Sequence, residues 1–252
     1  MALLESESIV LKSYDLAEAD RIVVFFTRDF GLVRGVAKGV KRTKSKYGSA
    51  FEPFSQVKLT FLQKEERELV SIQNAELLRS EFGVAADPER LNTFSYLTEI
   101  LLEFSQPHDP NETLYRMVKA CFESELKTAE ANDCLRLYFE IWLLRLSGYL
   151  PDWSGCSTCG RQFAEDETAS ISPESKLVCK NCDDRNSAKQ IEPKLRTIYR
   201  NAKQFAPDQF IIQASQDLES IRDLRNLLRP ILLSVTGRHT ASAWAVEGGA
   251  SK

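Results

Sequence analysis

Four cysteines in the pattern C-x2-C-x19-C-x2-C constrain this 252-residue chain more than any other feature: Cys156, Cys159, Cys179 and Cys182. Two such knuckles about twenty residues apart form a zinc spacing, because each offers two thiolates from one tight loop and two complete a tetrahedron. Four thiolates leave no open position for water, so the expectation is one structural zinc ion and no catalytic metal. A redox-active dithiol and an iron–sulfur cluster are the alternatives, since tetrahedral sulfur ligation also suits iron. Gly155 and Gly160 flank the first knuckle, where the backbone must turn back toward the ion. The polar segment from Arg161 to Val178 carries the turn-formers Asp166, Ser170, Ser172 and Pro173. It reads as a small ribbon with short strands such as 176–179, and metal binding would supply much of its folding energy. Cys121 and Cys134 lie apart, in segments of helical period, and read as buried inert thiols.

Residues 1–80 read as an all-β unit. Strands are expected at Ser8–Tyr14, Asp20–Thr27, Gly31–Lys38, Phe54–Leu62 and Glu68–Gln73, with Val57, Leu59 and Phe61 on one face of the fourth. Five short strands and one long basic connection fit a small closed barrel of the OB type, though periodicity alone does not separate it from other small barrels. From Glu89 the period becomes helical. Asp87-Pro88 starts the first helix, and Leu114 to Phe122 marks a second. Asn132–Leu146 is apolar nearly all round and should be central, ending at Gly148-Tyr-Leu-Pro151. Two further helices are expected, at Ile191–Phe205 and Leu218–Leu233, with a frayed tail beyond Trp244. The fold class is therefore α+β: an OB-like barrel, then a helical domain carrying an inserted four-cysteine zinc module. The domain limits are 1–80 for the barrel, 81–152 and 187–245 for the two helical parts, and 153–186 for the module.

The net charge of -3 conceals an uneven distribution. Residues 1–80 hold 13 Lys and Arg against 11 Asp and Glu, and between Arg28 and Lys46 seven cations face the single acid Asp29. Local fields bind ligands, so the patch matters more than the total. Arg34, Lys38, Lys41, Arg42, Lys44 and Lys46 lie on one strand and the loop after it. Cations at this density neutralise backbone phosphates without reading sequence. Thr43 and Ser45 add possible phosphate hydrogen bonds, and Tyr47, Phe51 and Phe54 are candidate base-stacking rings that a small barrel also needs for its core.

Nothing points to catalysis. His108 and His239 lack a partnered nucleophile, Glu65-Glu66 and Asp183-Asp184 are adjacent and point apart, and there is no phosphate-binding G-x4-G-K-[ST] loop. The expectation is a non-enzyme. The acidic start has no basic-then-apolar leader and no run is long enough to span a bilayer, so a cytoplasmic protein without a membrane partner is expected.

The chain resembles the RecO family of bacterial DNA-repair and recombination-mediator proteins. The resemblance is carried by two strands ending in Thr27, then Gly31, and by the run Ala37-Lys-Gly-Val-Lys-Arg-Thr-Lys-Ser45. Leu144-Arg-Leu-Ser-Gly-Tyr-Leu-Pro151 before the first knuckle and Leu224-Arg-Asn-Leu-Leu-Arg229 near the end also match, whereas His239-Thr-Ala-Ser242 departs from the family pattern. The resemblance implies an OB fold, a zinc-bearing helical domain, and binding of single- and double-stranded DNA. It further implies annealing of complementary strands, DNA damage repair by recombination near the nucleoid, and help in loading the recombinase on DNA coated by single-strand-binding protein. RecR and single-strand-binding protein are the implied partners. The six cations from Arg34 to Lys46 become backbone contacts, and Arg136, Arg145, Arg225 or Arg229 become candidates for the acidic tail of single-strand-binding protein.

Overall fold

Val57, Leu59 and Phe61 do share a buried face, and around them the computed structural model closes a five-stranded barrel. The structure describes residues 2–42, 45, 47–64, 68–172, 175–183 and 190–236. Lys44, Lys46, Thr43, Glu65, Glu66, Pro173, Asp184, His239 and the tail beyond Trp244 lie outside the described residues.

The strands are β1 (Ala2–Asp15), β2 (Arg21–Thr27), β3 (Gly31–Ala37), β4 (Gln56–Gln63) and β5 (Leu69–Arg79). Their order around the barrel is β1-β2-β3-β5-β4, antiparallel except for the β3–β5 pair, and β4 closes on β1. The first and last strands run well past the expected Ser8–Tyr14 and Glu68–Gln73. The added residues of β1 pair with β4, from Ala2 opposite Gln63 onward. They are largely exposed and carry little apolar alternation, which hid them in the sequence.

Inside the barrel lie Val10, Val23, Phe25, Val33, Val57, Leu59, Phe61, Val70 and Ile72. Gly35 faces the same interior, and a Cβ there would come within 2.7 Å of Ile72 Cγ1, so the position needs glycine. Gly31 opens β3 at φ +65°, and its Cα side meets the Asp109 carbonyl at 2.7 Å from an ideal Cβ. A side chain would be strained there twice over, by conformation and by space.

Two helices follow, α1 (Pro88–Phe104) and α2 (Glu112–Glu123). The Asp87 side chain caps α1 by accepting from the Glu89 and Arg90 amides, as Asp87-Pro88 predicts. Phe54, Phe94 and Phe122 stack with centroids 4.9–5.5 Å apart and join the barrel to both helices. One compact unit, Met1–Phe122, thus holds the barrel and these helices.

The second unit, Glu123–Lys252, is built around α3 (Ala129–Leu146). Its burial on nearly every face explains why the segment is apolar all round. Thr128 caps its start, and Gly148 at φ +79° ends it, with the Tyr149 and Leu150 amides donating to the Leu144 carbonyl. Helices α4 (Pro193–Gln204), α5 (Pro207–Ala214) and α6 (Leu218–Thr236) pack against it. Between α3 and α4 sits a small sheet of β6 (Ala169–Ile171), β7 (Leu177–Val178) and β8 (Gln190–Ile191), in the order β7-β6-β8. Ile191, expected to open a helix, is instead paired in β8 with Ala169. Helix α5 was not foreseen: eight residues behind Pro207 are too few for a clear helical period. The chain is α+β, an OB-like barrel followed by helices with the four-cysteine module inserted among them.

Candidate nucleic-acid interface and metal centre

The cationic segment begins on the outer face of the barrel. Val33, Gly35 and Ala37 face the core, so alternation turns Arg34 outward, and both Arg34 and Lys38 are exposed. Beyond β3 the chain turns at Gly39, φ +68°, and Arg42 and Ser45 continue through tight turns. This loop is tied to the β1–β2 turn. The Gly39 amide donates to Asp20 Oδ1 at 2.8 Å, the Lys41 amide to the Ala19 carbonyl at 3.1 Å, and Lys41 Nζ to the Ala17 carbonyl at 3.2 Å. Lys41 also pairs with Asp15 at 2.9 Å, and Arg21 joins that carboxylate at 3.2 Å. The Lys41 ammonium, with Arg21, holds the Asp15 carboxyl below its usual range. Of the described cations in this segment, Arg34, Lys38 and Arg42 are exposed, while Lys41 already serves as a strut.

The candidate stacking rings are core residues. Tyr47 and Phe51 are 5% and 4% exposed, stack at 4.8 Å, and Phe51 packs edge-on to Phe25 at 5.8 Å inside the barrel. The Tyr47 hydroxyl donates to the Ile72 carbonyl at 3.2 Å, satisfying its one polar group. Phe54 belongs to the cluster with Phe94 and Phe122. None of the three presents a ring face to solvent. Tyr14 and Leu16, at 53% and 49%, are exposed at this end of the barrel.

The four cysteines converge. Their sulfurs all lie within 4.8 Å of one another, with Cys159 Sγ and Cys179 Sγ 4.0 Å apart. Zinc–sulfur bonds of about 2.3 Å would set tetrahedral sulfurs about 3.8 Å apart, so the donor set fits one such ion with small adjustment. Each knuckle is a tight turn: the Gly160 amide donates to the Cys156 carbonyl at 2.8 Å, with Gly160 at φ +74°, and the Cys182 amide donates to Cys179 at 2.9 Å. Ser157 links the knuckles, its amide and hydroxyl both donating to the Leu177 carbonyl, at 2.8 and 3.0 Å.

The electrostatics also suit a cation. Burial alone would raise the Cys156 thiol, but amides of Cys159, Cys179 and Thr158 point at its sulfur and bring it down to about 6. The Cys179 amide is 3.3 Å from that sulfur. Hydrogen bonds to Cys179 and Cys159 push the Cys182 thiol up to about 12. Such amides stabilise thiolate ligands from outside the coordination sphere. Arg161, two residues beyond the knuckle, faces Cys179 and is held by Glu167 at 2.8 Å. Its part was not read from the sequence. The module is fastened by Trp153, which stacks on Tyr199 of α4 at 5.0 Å and donates to the Ser175 carbonyl at 2.8 Å.

Two family profiles together cover most of the chain. A family profile described as Recombination protein O N terminal matches residues 1–81, and one described as Recombination protein O C terminal matches residues 85–242. The chain belongs to the RecO family. Among its RecO relatives, the DNA repair protein RecO of Koribacter versatilis is 30% identical across 91% of this chain and 92% of its own length. That of Rubrobacter xylanophilus is 34% identical over 72% of each chain. The RecO profile boundary falls between β5 and α1, whereas the compact unit extends to Phe122.

The other arginines expected at a tail-binding groove divide. Arg225 and Arg136 are 7% and 9% exposed and lie in a buried ion network with Glu140 and Asp133. Arg145 stacks over Trp142 at 5.0 Å, and Arg229 is exposed.

Proposed function

We propose that this DNA repair protein is a recombination mediator that binds single- and double-stranded DNA, anneals complementary strands and helps load the recombinase onto DNA coated by single-strand-binding protein. The observation that carries the reading is an OB-like barrel with Arg34, Lys38 and Arg42 exposed on one strand and its loop, in a chain of the RecO family. Lys41, Lys44 and Lys46 complete the proposed set of backbone contacts.

No chemical step is needed. Two strands repel through their phosphates, cations on the barrel reduce that repulsion, and base pairing supplies the driving energy. Contacts to phosphate alone let the protein release the duplex, because they carry no sequence information. Zinc held by Cys156, Cys159, Cys179 and Cys182 would act as a cross-link, joining two loops that have little apolar core of their own. RecR and the tail of single-strand-binding protein are the proposed protein partners, and the cytoplasm, at the nucleoid, the proposed location.

The deciding experiment is annealing of complementary oligonucleotides, each coated with single-strand-binding protein, followed by loss of a quenched fluorophore signal. Acceleration over the protein-free rate supports the reading. Annealing no faster than without the protein, at low and moderate salt alike, would remove it.

A further inference from the structure

The barrel's outer face holds an aromatic side chain that strand alternation would hide. Val10 faces the core opposite Phe25, so Lys12 and Tyr14, two and four residues on, should face inward as well. They do not, because Leu11 is an extra residue: Val10 pairs with Phe25, but Lys12 pairs with Val24. This bulge reverses the side-chain alternation for the rest of β1. The Val10 backbone is fixed there by two bonds to the 54–55 segment, at 2.7 and 2.9 Å.

The register then aligns two rows across the outside of the sheet. Lys12 lies beside Val24, Arg34 and Leu69, while Tyr14 lies beside Ile22, Val36 and Ser71. Cations therefore stand at Lys12, Arg34 and Lys38 around an exposed ring and a floor of Ile22 and Val36. Past Val36 the face opens into a groove of about 700 Å³, whose lining includes Lys38, Lys64, Leu69 and Ser71 together with the acid Glu68. That volume lies in the range of small-ligand clefts. The nearby Asp15 carboxylate is occupied by Lys41 and Arg21, so it does not oppose an anion.

We propose that Tyr14 is a base-stacking platform and that single-stranded DNA runs from it across Ile22 and Val36 into this groove, with Lys12, Arg34, Lys38 and Lys64 along its phosphates. The proposal rests on the DNA-binding reading above and adds strand selectivity to it. Only an unpaired base can lay its face on a ring, whereas phosphates are common to both forms of DNA. OB folds bind oligonucleotides on the face of strands two and three and on the adjoining loops; Ile22, Arg34 and Val36 lie on those strands, Lys64 follows β4, and Tyr14 sits at the end of β1 beside them. Rings that supply the stacking need exposure, and Tyr14 has it while Tyr47, Phe51 and Phe54 do not.

Fluorescence anisotropy of labelled oligo-dT and of a duplex of equal length, over a salt series, tests this with the full chain. Tyr14→Ala is expected to weaken oligo-dT binding by about 5- to 150-fold, the value of one stacked base. Its salt slope should match that of the parent, and duplex affinity should stay within about twofold, because no phosphate contact is lost. Tyr14→Phe keeps the ring and should bind oligo-dT as the parent does. An unchanged Tyr14→Ala alongside a weakened Arg34→Ala overturns the stacking role and leaves the DNA reading standing. Equal losses on oligo-dT and duplex also overturn it. A parent protein that binds neither DNA defeats both readings. Since Tyr14 is half exposed, unchanged thermal melting of both variants serves as the folding control.

Discussion

Replacing Arg225 by Met should destabilise the second unit severely, and replacing its partner as well should restore much of what is lost. Glu140 is fully buried on α3, and Arg225 on α6 donates to its Oε1 from Nε at 3.2 Å and from Nη2 at 3.1 Å. Asp133 lies 3.5 Å from the remaining Arg225 nitrogen. Met fills a similar volume but removes the Arg225 guanidinium from the Glu140 carboxylate, which is fully buried. Removing one member of such a pair typically costs about 3–5 kcal/mol, whereas replacing both by apolar groups is often neutral. Against a total of about 5–15 kcal/mol for a domain, the single change consumes much of the margin. For a unit of this size the midpoint should fall by roughly 10–20 °C. Thermal and urea unfolding followed by circular dichroism would measure it for Arg225→Met, Glu140→Leu and the double variant. A single-variant loss below about 1 kcal/mol would refute the reasoning, as would a double variant no better than the sum of the singles. Either result would mean that water or another group compensates the carboxylate.

Three other outcomes follow from the geometry. Chelation of the metal centre should lower the thermal midpoint before it lowers DNA affinity, and elemental analysis should find one zinc per chain; equal melting with and without metal would deny a structural role. Changing Lys41, Arg42 and Lys44 to Ala should weaken single-strand binding and flatten its salt slope. The reduction should be roughly 2.1 if all three meet phosphate and roughly 1.4 if Lys41 stays with Asp15, and an unaltered slope would clear the patch of involvement. Gly35→Ala forces a methyl to within 2.7 Å of Ile72 and should cost about 1–3 kcal/mol in urea unfolding, with an Ile72→Val background relieving part of it.

How far the sequence reached depended on whether a feature was local. The cysteine spacing is local, and all four sulfurs meet. The caps are local too: Asp87 starts one helix and Gly148 ends another, where their residue types predict. Tyr47, Phe51 and Phe54 are different. A ring beside cations reads the same in one dimension whether it points into a barrel or out of it, and closure of the barrel decides. Tyr14 shows the converse, since one extra residue at Leu11 moves it outside while the sequence around it still alternates. The strut made by Lys41 and Asp15 joins residues 26 positions apart in the chain, and no spacing rule reaches that far. Helix α5 failed for a simpler reason, its eight residues.

The metal centre and the cationic face impose opposite electrostatic demands. Four thiolates around a divalent ion keep a net charge of about -2, which repels phosphate unless neighbouring cations outweigh it. Among the described residues of the module, acids and cations are mixed. Arg161 is committed to Glu167 and faces Cys179, while Glu165 and Asp166 are exposed beside it. Lys176 and Lys180 are exposed as well. On the barrel face Asp15 is already paired with Lys41 and Arg21, while Arg34, Lys38 and Arg42 are exposed. A polyanion bound as proposed would therefore lie on the barrel face and not at the cysteines. On that reading the cross-link can be as closed as its ligands require, because the proposed contacts are made by other residues.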